Sequence, residues 1–217
     1  MVIIISILAS MAVAHWSWYL LRSIDDASYK PNHPFLSKAN ILVGVVGGAL
    51  EANVYMIYGL SLTFIIYSLM VLILIGVAIV DWNSYEIPIW FNYLLLALGI
   101  VRLISDYKHW PRYIIGMLLV SGIFYILLLL TKGRGMGGGD VKLMFTCGLI
   151  VGWQLILLTM ILGSILGALI HSIIMKVSKK EHMLAFGPYL AAGAYISICY
   201  GSVLIEWYLS FFPHYGM

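Results

Sequence analysis

Long apolar stretches follow one another along almost the whole chain, with short polar segments between them. A helix needs about 20 apolar residues to cross a bilayer. Eight runs approach or exceed that length, and the sixth is the shortest. The runs cover Val2–Leu21, Ala39–Tyr58, Leu62–Val80, Pro88–Ile104, Tyr113–Thr131, Val141–Trp153, Leu155–Lys176 and Phe186–Phe211. The pattern predicts an all-α fold, a polytopic bundle of about eight transmembrane helices.

The overall composition agrees with a membrane protein. Of 217 residues, 63% are hydrophobic and 10% are charged, whereas a soluble domain is about half apolar and about a quarter charged. The first run lacks a positive segment before it and a cleavage site after it, so we expect it to be retained as a span. The basic residues are scattered over short loops, so the lipid bilayer, and no nucleic acid, is the expected surrounding partner.

The basic residues also predict an orientation. With eight spans, nine basic residues share one side of the membrane and three lie opposite. The larger group comprises Arg22, Lys30, Lys38, Lys132, Arg134, Lys142, Lys176, Lys179 and Lys180, and the smaller one Arg102, Lys108 and Arg112. The side richer in Lys and Arg is usually cytoplasmic. We therefore predict that both termini lie outside the cytoplasm.

Two acids fall on the predicted cytoplasmic side, at the ends of different spans. Asp81 ends the third run, and Asp140 begins the sixth. If two carboxylates meet, repulsion keeps one of them protonated, and the pair titrates as a unit. One acid can then deprotonate a water while the other protonates a peptide carbonyl. We expect the helix that starts at Asp140 to favour its anionic form.

A glycine-rich segment precedes Asp140. Gly135, Gly137, Gly138 and Gly139 leave no side chains in the way, and glycine tolerates backbone conformations that other residues avoid. An extended substrate backbone could pass close to Asp140 and pair with the free N–H and C=O groups of this loop. From spacing alone, a flexible connector followed by an acid at a helix start is an equally good explanation.

Neither cysteine suggests a metal site. Cys147 and Cys199 both fall inside apolar runs, and no CxxC or Cys/His spacing occurs. We predict buried thiols, no metal and no cofactor.

Three sequence blocks resemble those of the type IV prepilin peptidases, which are GxGD membrane aspartyl proteases. The GxGD motif is Gly137-Gly138-Gly139-Asp140, followed by VKLM. Asp81 stands seven residues before Pro88, as in the D-x6-P pattern of that family, and Ile87 gives the usual hydrophobe before proline. The segment AFGPYLAAGA, residues 185–194, is similar to the FGP block of the last span.

The resemblance implies that the chain removes the short basic leader of type IV pilin-like precursors at the cytoplasmic membrane face. It makes Asp81 and Asp140 the catalytic pair, in the cytoplasmic (inner) membrane. The residues expected to contact substrate are Gly137, Gly138, Gly139, Lys142, Phe186, Gly187 and Pro188. Residues 1–60 are expected to form the N-terminal spans and match the family only in hydropathy, whereas residues 61–217 form the catalytic core of one domain.

One family feature is missing from the sequence. Bifunctional members carry a large insertion with two CxxC pairs after the first span, linked to N-methylation of the new pilin terminus. The corresponding segment, Arg22 to Lys38, is short and has no cysteine. We therefore expect a short form without methyltransferase activity, without zinc and without S-adenosylmethionine.

Other polar residues have competing interpretations. Lys142 either contacts Asp140 or the substrate, or it anchors the helix at the interface. Glu86 is expected to be a solvated loop charge. Glu51 lies midway along the second run, where it either pairs with a polar neighbour or takes part in binding.

Alternative functions also remain at this stage. The acids could move protons or cations in a small transporter or channel. The chain could also be an inactive scaffold of a pilus or secretion machine, or a protease that cuts within a transmembrane helix.

Overall fold

The computed structural model describes residues 2–24, 35–133, 137–178 and 184–211, and the regular structure in these ranges is helical. Its α-helices are α1 (Val2–Ile24), α2 (Lys38–Tyr58), α3 (Leu62–Ser84), α4 (Ile89–Ser105), α5 (Trp110–Leu130), α6 (Gly138–Val151), α7 (Trp153–Ser178) and α8 (Gly187–Ser210). A short 3-10 helix, Tyr107–His109, precedes α5. The predicted all-α fold is confirmed.

The helices differ in their ability to cross a bilayer. Among the described residues, six helices are long and apolar enough to do so, namely α1, α2, α3, α5, α7 and α8. Helix α4 is apolar but has 17 residues. Helix α6 has 14 residues and therefore a length of about 21 Å, less than the roughly 30 Å of hydrocarbon. The protein is a multi-pass membrane protein; the sidedness of its termini stays a prediction.

The connection from α3 to α4 is set by one unusual residue. Tyr85 has a φ of 56° and ends α3 in the left-handed conformation, which costs free energy for a residue other than glycine. Its N–H donates to the carbonyl oxygen of Asp81 at 2.8 Å. Pro88, with its fixed φ, stands directly before α4. The chain thus turns back at once, and the segment of residues 85–88 stays beside the end of α3.

The hydrophobic core is centred on α3, α6 and α8. Met70, Val77 and Val80 of α3 are fully buried, and they belong to the same cluster as Leu143 of α6 and Leu190 of α8. Such packing is favoured where it removes apolar area from water, and also where it fills space that lipid would otherwise occupy. Because the C-terminal end of α3 and the N-terminal ends of α6 and α8 meet there, polar groups at those ends lie at the edge of this core.

Helices α5 and α6 touch through bare backbone. A Cβ at Gly148 would overlap the carbonyl oxygen of Gly116, and a Cβ at Gly116 would lie 2.7 Å from the carbonyl oxygen of Gly148. Small residues allow this close approach between membrane helices. The contact fixes α6, and with it Asp140, against a long neighbouring span.

A second polar group lies at the opposite end of the bundle. The guanidinium of Arg102 donates to the hydroxyl of Thr63 at 3.0 Å, and it lies over the rings of Tyr67 and Tyr113. The Asp106 carboxylate accepts a hydrogen bond from Tyr113 at 2.6 Å. These contacts tie the α4–α5 connection to the start of α3, far from both predicted catalytic aspartates.

Candidate active site

Asp81 lies in the last turn of α3 and is only 4% exposed. Its Oδ2 accepts a hydrogen bond of 2.8 Å from the backbone N–H of Gly187, the first residue of α8. A Cβ at position 187 would stand 2.8 Å from that oxygen and 3.0 Å from Cγ of Asp81. Glycine is therefore required for α8 to begin so close to the carboxylate.

Asp140 lies in the first turn of α6 and is 7% exposed. Burial raises the pKa of Asp140 to about 7, the charge of Asp81 adds to that rise, and a hydrogen bond with the backbone of Gly137 partly opposes it. The expected stabilisation of the anion at a helix start is thus outweighed. Near pH 7 this carboxyl group keeps its proton for a large part of the time.

The two aspartates open into one cavity of about 270 Å³. Its lining comprises Asp81, Tyr85, Glu86, Ile87, Ile89, Gly137, Gly138, Gly139, Asp140 and Lys142. Helices α3 and α6 each supply one acid, and the other lining residues come from the α3–α4 loop, the first residue of α4 and the start of α6. The fold therefore brings together the two predicted catalytic residues, the three glycines and Lys142.

The glycines of this cavity meet different surroundings. A Cβ at Gly139 would lie 3.2 Å from Cβ of Ile87, and a Cβ at Gly137 would lie 3.4 Å from Oδ2 of Asp140. A Cβ at Gly138 would meet nothing within 4 Å. Gly138 thus faces open space, where a substrate backbone could pass. Gly135, also expected in this role, lies outside the described residues.

The three residues predicted to contact substrate at the start of α8 have different surroundings. Gly187 touches Asp81, as described. Phe186 packs beside Phe124 of α5, with ring centroids 6.1 Å apart. Pro188 lines a different, apolar cavity. A role for Phe186 and Pro188 in substrate binding stays a prediction.

The sequence interpretation missed four residues of the cavity, all in or beside the loop between α3 and α4. They are Tyr85, Glu86, Ile87 and Ile89. Glu86 is exposed, as expected of a solvated charge, yet it lies in the same cavity as the aspartates. The sequence could have indicated this location, because Glu86 stands between Asp81 and Pro88. That connection is too short to carry Glu86 away from the end of α3.

Glu51, unlike Glu86, is buried inside the helical bundle. It is 1% exposed, and the hydroxyl of Ser68 donates to its Oε2. Its Oε1 has no hydrogen-bond partner among the described residues. The pairing with a polar neighbour is therefore observed, on α2 and α3 and away from the cavity that holds Asp81.

The chemistry of the cavity is that of a carboxyl pair. Within the described parts of the chain, no three His, Cys, Asp or Glu side chains come together as metal ligands. Two coupled acids, one of them protonated near neutrality, can activate a water and polarise a carbonyl group. Fold and site together define a helical membrane protein with an aspartyl hydrolase arrangement.

Comparison with known proteins agrees with this class. The model of the type IV leader peptidase family matches residues 66–172, which include both aspartates and the α3–α4 loop. No solved structure matches the chain significantly. Over residues 66–172, just under half of its length, the chain is similar to the type IV leader peptidases.

Individual relatives extend the similarity beyond that region. A protein of Stutzerimonas stutzeri named prepilin leader peptidase/N-methyltransferase is 27% identical over 204 residues, which cover 90% of this chain and 68% of the relative. A protein of the same name from Aeromonas salmonicida is 26% identical over 215 residues, 95% of this chain and 71% of the relative. One from Aeromonas hydrophila is 34% identical over 99 residues, 45% of this chain and 34% of the relative.

Proposed function

We propose that this protein is a prepilin leader peptidase that hydrolyses its substrate with Asp81 and Asp140. The observation that carries the proposal is the shared cavity: two buried aspartates from α3 and α6 open into it, in a chain that is similar to the type IV leader peptidases. The substrates are type IV pilin-like precursors, and the cut is made at the cytoplasmic face of the inner membrane.

The two acids take different roles in the reaction. Asp81, whose Oδ2 is held by the N–H of Gly187, accepts a proton from the attacking water. Asp140, with its raised pKa, donates its proton to the peptide carbonyl as the water oxygen adds to the carbon. When the tetrahedral intermediate collapses, the C–N bond breaks and the proton held by Asp81 passes to the leaving amine. Asp140 recovers its proton from the hydroxyl group that becomes the new carbonyl, so the pair ends as it began.

Substrate positioning falls to the loops around the pair. The open side of Gly138 lets an extended backbone approach Asp140, and the first N–H groups of a helix such as α6 have no partner within the helix and can pair with it. The exposed carboxylate of Glu86 and the exposed ammonium of Lys142 flank the cavity. A short basic leader would thus meet Glu86 on the aqueous side.

The proposal covers the peptidase activity alone. The relatives' printed name includes an N-methyltransferase, but both cysteines of this chain are buried, in α6 and α8. No cysteine pair is present for the CxxC sites of the bifunctional members. The segment between α1 and α2, where such sites would stand, lies mostly outside the described residues.

The test is cleavage of a pilin-like precursor by the purified protein in liposomes. Asp81→Asn and Asp140→Asn should each abolish cleavage, because neither amide can exchange the proton that the reaction needs. Glu206→Gln is the matched control, since Glu206 is an exposed acid on α8 outside the cavity, and it should cleave normally. Intact cleavage by either aspartate variant would contradict the assignment. Mass spectrometry of the products separates a cut before the apolar segment from a cut within it.

A further inference from the structure

A second, apolar cavity of about 290 Å³ lies between α2, α3 and α8. Leu50, Leu74, Ala78, Pro188, Ala192 and Tyr195 are among the residues that line it. The only polar side chain in its lining is that of Tyr195, whose hydroxyl donates to the carbonyl oxygen of Leu50 at 3.5 Å. We call this cavity the lateral groove.

Away from the start of α8, long side chains bridge α2 and α8 beside the lateral groove. The hydroxyl of Tyr58 donates to the carbonyl oxygen of Ile198, and the amide of Asn53 donates to the hydroxyl of Tyr200 at 2.6 Å. Nearer the start of α8 the wall consists of alanines, and Ala192 is exposed. Small side chains along a groove allow another helix or strand to approach the backbone closely.

The lateral groove begins close to Asp81, although it and the catalytic cavity share no lining residue. Ala78 lies one helical turn before Asp81 on the same face of α3. Pro188 directly follows Gly187, whose N–H holds the Asp81 carboxylate. From Ala78 the groove follows α3 back to Val71, a length of about 10 Å along the helix. The groove therefore runs along α3 from one helical turn before Asp81 towards the middle of this apolar helix.

We propose that the lateral groove is the subsite for the apolar segment of the precursor that follows the scissile bond. The inference rests on the proposed peptidase function. A basic leader stays on the aqueous side, because a charge within the hydrocarbon costs several kcal/mol or more. The chain beyond the scissile bond is then the part that enters the bilayer, and the groove offers it an apolar surface that starts one helical turn from Asp81.

Filling the lateral groove should affect substrates according to their length. We expect Ala192→Trp to lower kcat/KM about tenfold, mainly through KM, for a precursor that includes its apolar segment, because binding energy is lost in the ground state and transition state alike. A peptide that ends two or three residues beyond the scissile bond should be cleaved within about twofold of the wild-type rate. Ala97→Trp, at an exposed alanine of α4 outside the groove, is the matched control. Equal effects on both substrates, or none on the longer one, would overturn the proposal.

Photo-cross-linking gives a readout that does not need catalysis. A photoreactive amino acid at Ala192, in the Asp140→Asn background, should cross-link the apolar segment of a bound precursor in liposomes, and the same group at Ala97 should not. Adducts with lipid alone at Ala192 would show that the groove holds acyl chains and would overturn the proposal. Failure of the proposed function is seen separately, as cleavage that survives loss of Asp81 or Asp140.

Discussion

The backbone N–H of Gly187 and the Oδ2 atom of Asp81 are joined by a hydrogen bond of 2.8 Å between residues 106 positions apart in sequence. The bond ties the first residue of α8 to the last turn of α3. It orients the Asp81 carboxylate, which forms no ion pair with any residue that the structure describes. Gly187 is thus a positioning residue, and its lack of a side chain is what permits the contact.

Replacement of Gly187 by alanine should reduce turnover strongly while the protein remains folded. The new Cβ would lie 2.8 Å from Oδ2 and 3.0 Å from Cγ of Asp81, so the carboxylate or the start of α8 must move. A misplaced catalytic group costs on the order of a hundredfold in rate. Cleavage kinetics in liposomes measure this loss, which should appear in kcat.

Gly122→Ala is the control for that substitution. Gly122 lies in the middle of α5, where a Cβ would meet nothing within 4 Å, so activity and thermal stability should be unchanged or slightly improved. Full activity of Gly187→Ala would show that the hydrogen bond to Asp81 is dispensable.

The rate of cleavage should fall on the alkaline side of about pH 7. In the proposed reaction Asp140 must carry a proton, and its pKa is raised to about 7 by burial and by the charge of Asp81. As the pH rises through that value the proton is lost, and with it the acid that polarises the carbonyl. A pH–kcat profile with a descending limb near 7 is expected, and the apparent pKa values belong to the pair. An activity that keeps rising to pH 9 would contradict the role of Asp140.

The same carboxyl group makes stability depend on pH. The ordinary pKa of Asp140 is 3.8, and the folded value is about 7, so the folded protein binds more protons than the unfolded chain between these values. Stability conferred by the bound proton is complete below about pH 4 and is lost as the pH rises through 7. Asp140→Asn removes this dependence and should be more stable than the wild type at pH 8, by on the order of 4 kcal/mol at most, because each pKa unit corresponds to about 1.4 kcal/mol. Thermal unfolding in detergent at pH 5 and pH 8 measures the difference, which should be smaller at pH 5.

The variant Gly138→Ala should show whether Gly138 serves substrate binding or the stability of the fold. Open space surrounds the position where its Cβ would lie, so the melting temperature should not fall. If the substrate backbone passes close to this loop, the added methyl group obstructs it, and KM should rise several-fold. Unchanged KM would mean that the glycines serve only to connect α5 to α6.

The predicted orientation of the membrane helices can be tested with single cysteines. Lys108 and Lys132 are both exposed, in connections that the sequence assigns to opposite sides of the membrane. A membrane-impermeant maleimide added to intact cells should label Lys108→Cys, whereas Lys132→Cys should react only after the cells are opened. The native Cys147 and Cys199 are buried and should give little background. The reverse labelling pattern would place the aspartates on the outer side.

Hydropathy alone predicted the helices well. The predicted runs Ala39–Tyr58 and Phe186–Phe211 differ from α2 and α8 by one residue at each changed end. The sixth run differs at both ends, since the helix starts at Gly138 and ends at Val151. Its first two residues are glycines, which carry little hydropathy signal, so the sequence indicates a start at Asp140 and not at Gly138.

The missing part of the site depends on contacts that no local pattern encodes. The loop between α3 and α4 lies in the cavity because Tyr85 adopts a positive φ, which its residue type does not suggest. The contact between Gly187 and Asp81 joins elements far apart in sequence. Composition also could not show that burial would outweigh the helix start at Asp140, since burial is a property of the assembled bundle.

The bare-backbone contact between Gly116 and Gly148 has a mechanical consequence. No side chains stand between α5 and α6 at this contact, so the two helices have little freedom to slide past each other. The side of the cavity that carries Asp140 is therefore rigid. Any widening of the opening for an incoming polypeptide is therefore expected on the opposite side of the cavity, where the exposed loop residues Tyr85 and Glu86 line it.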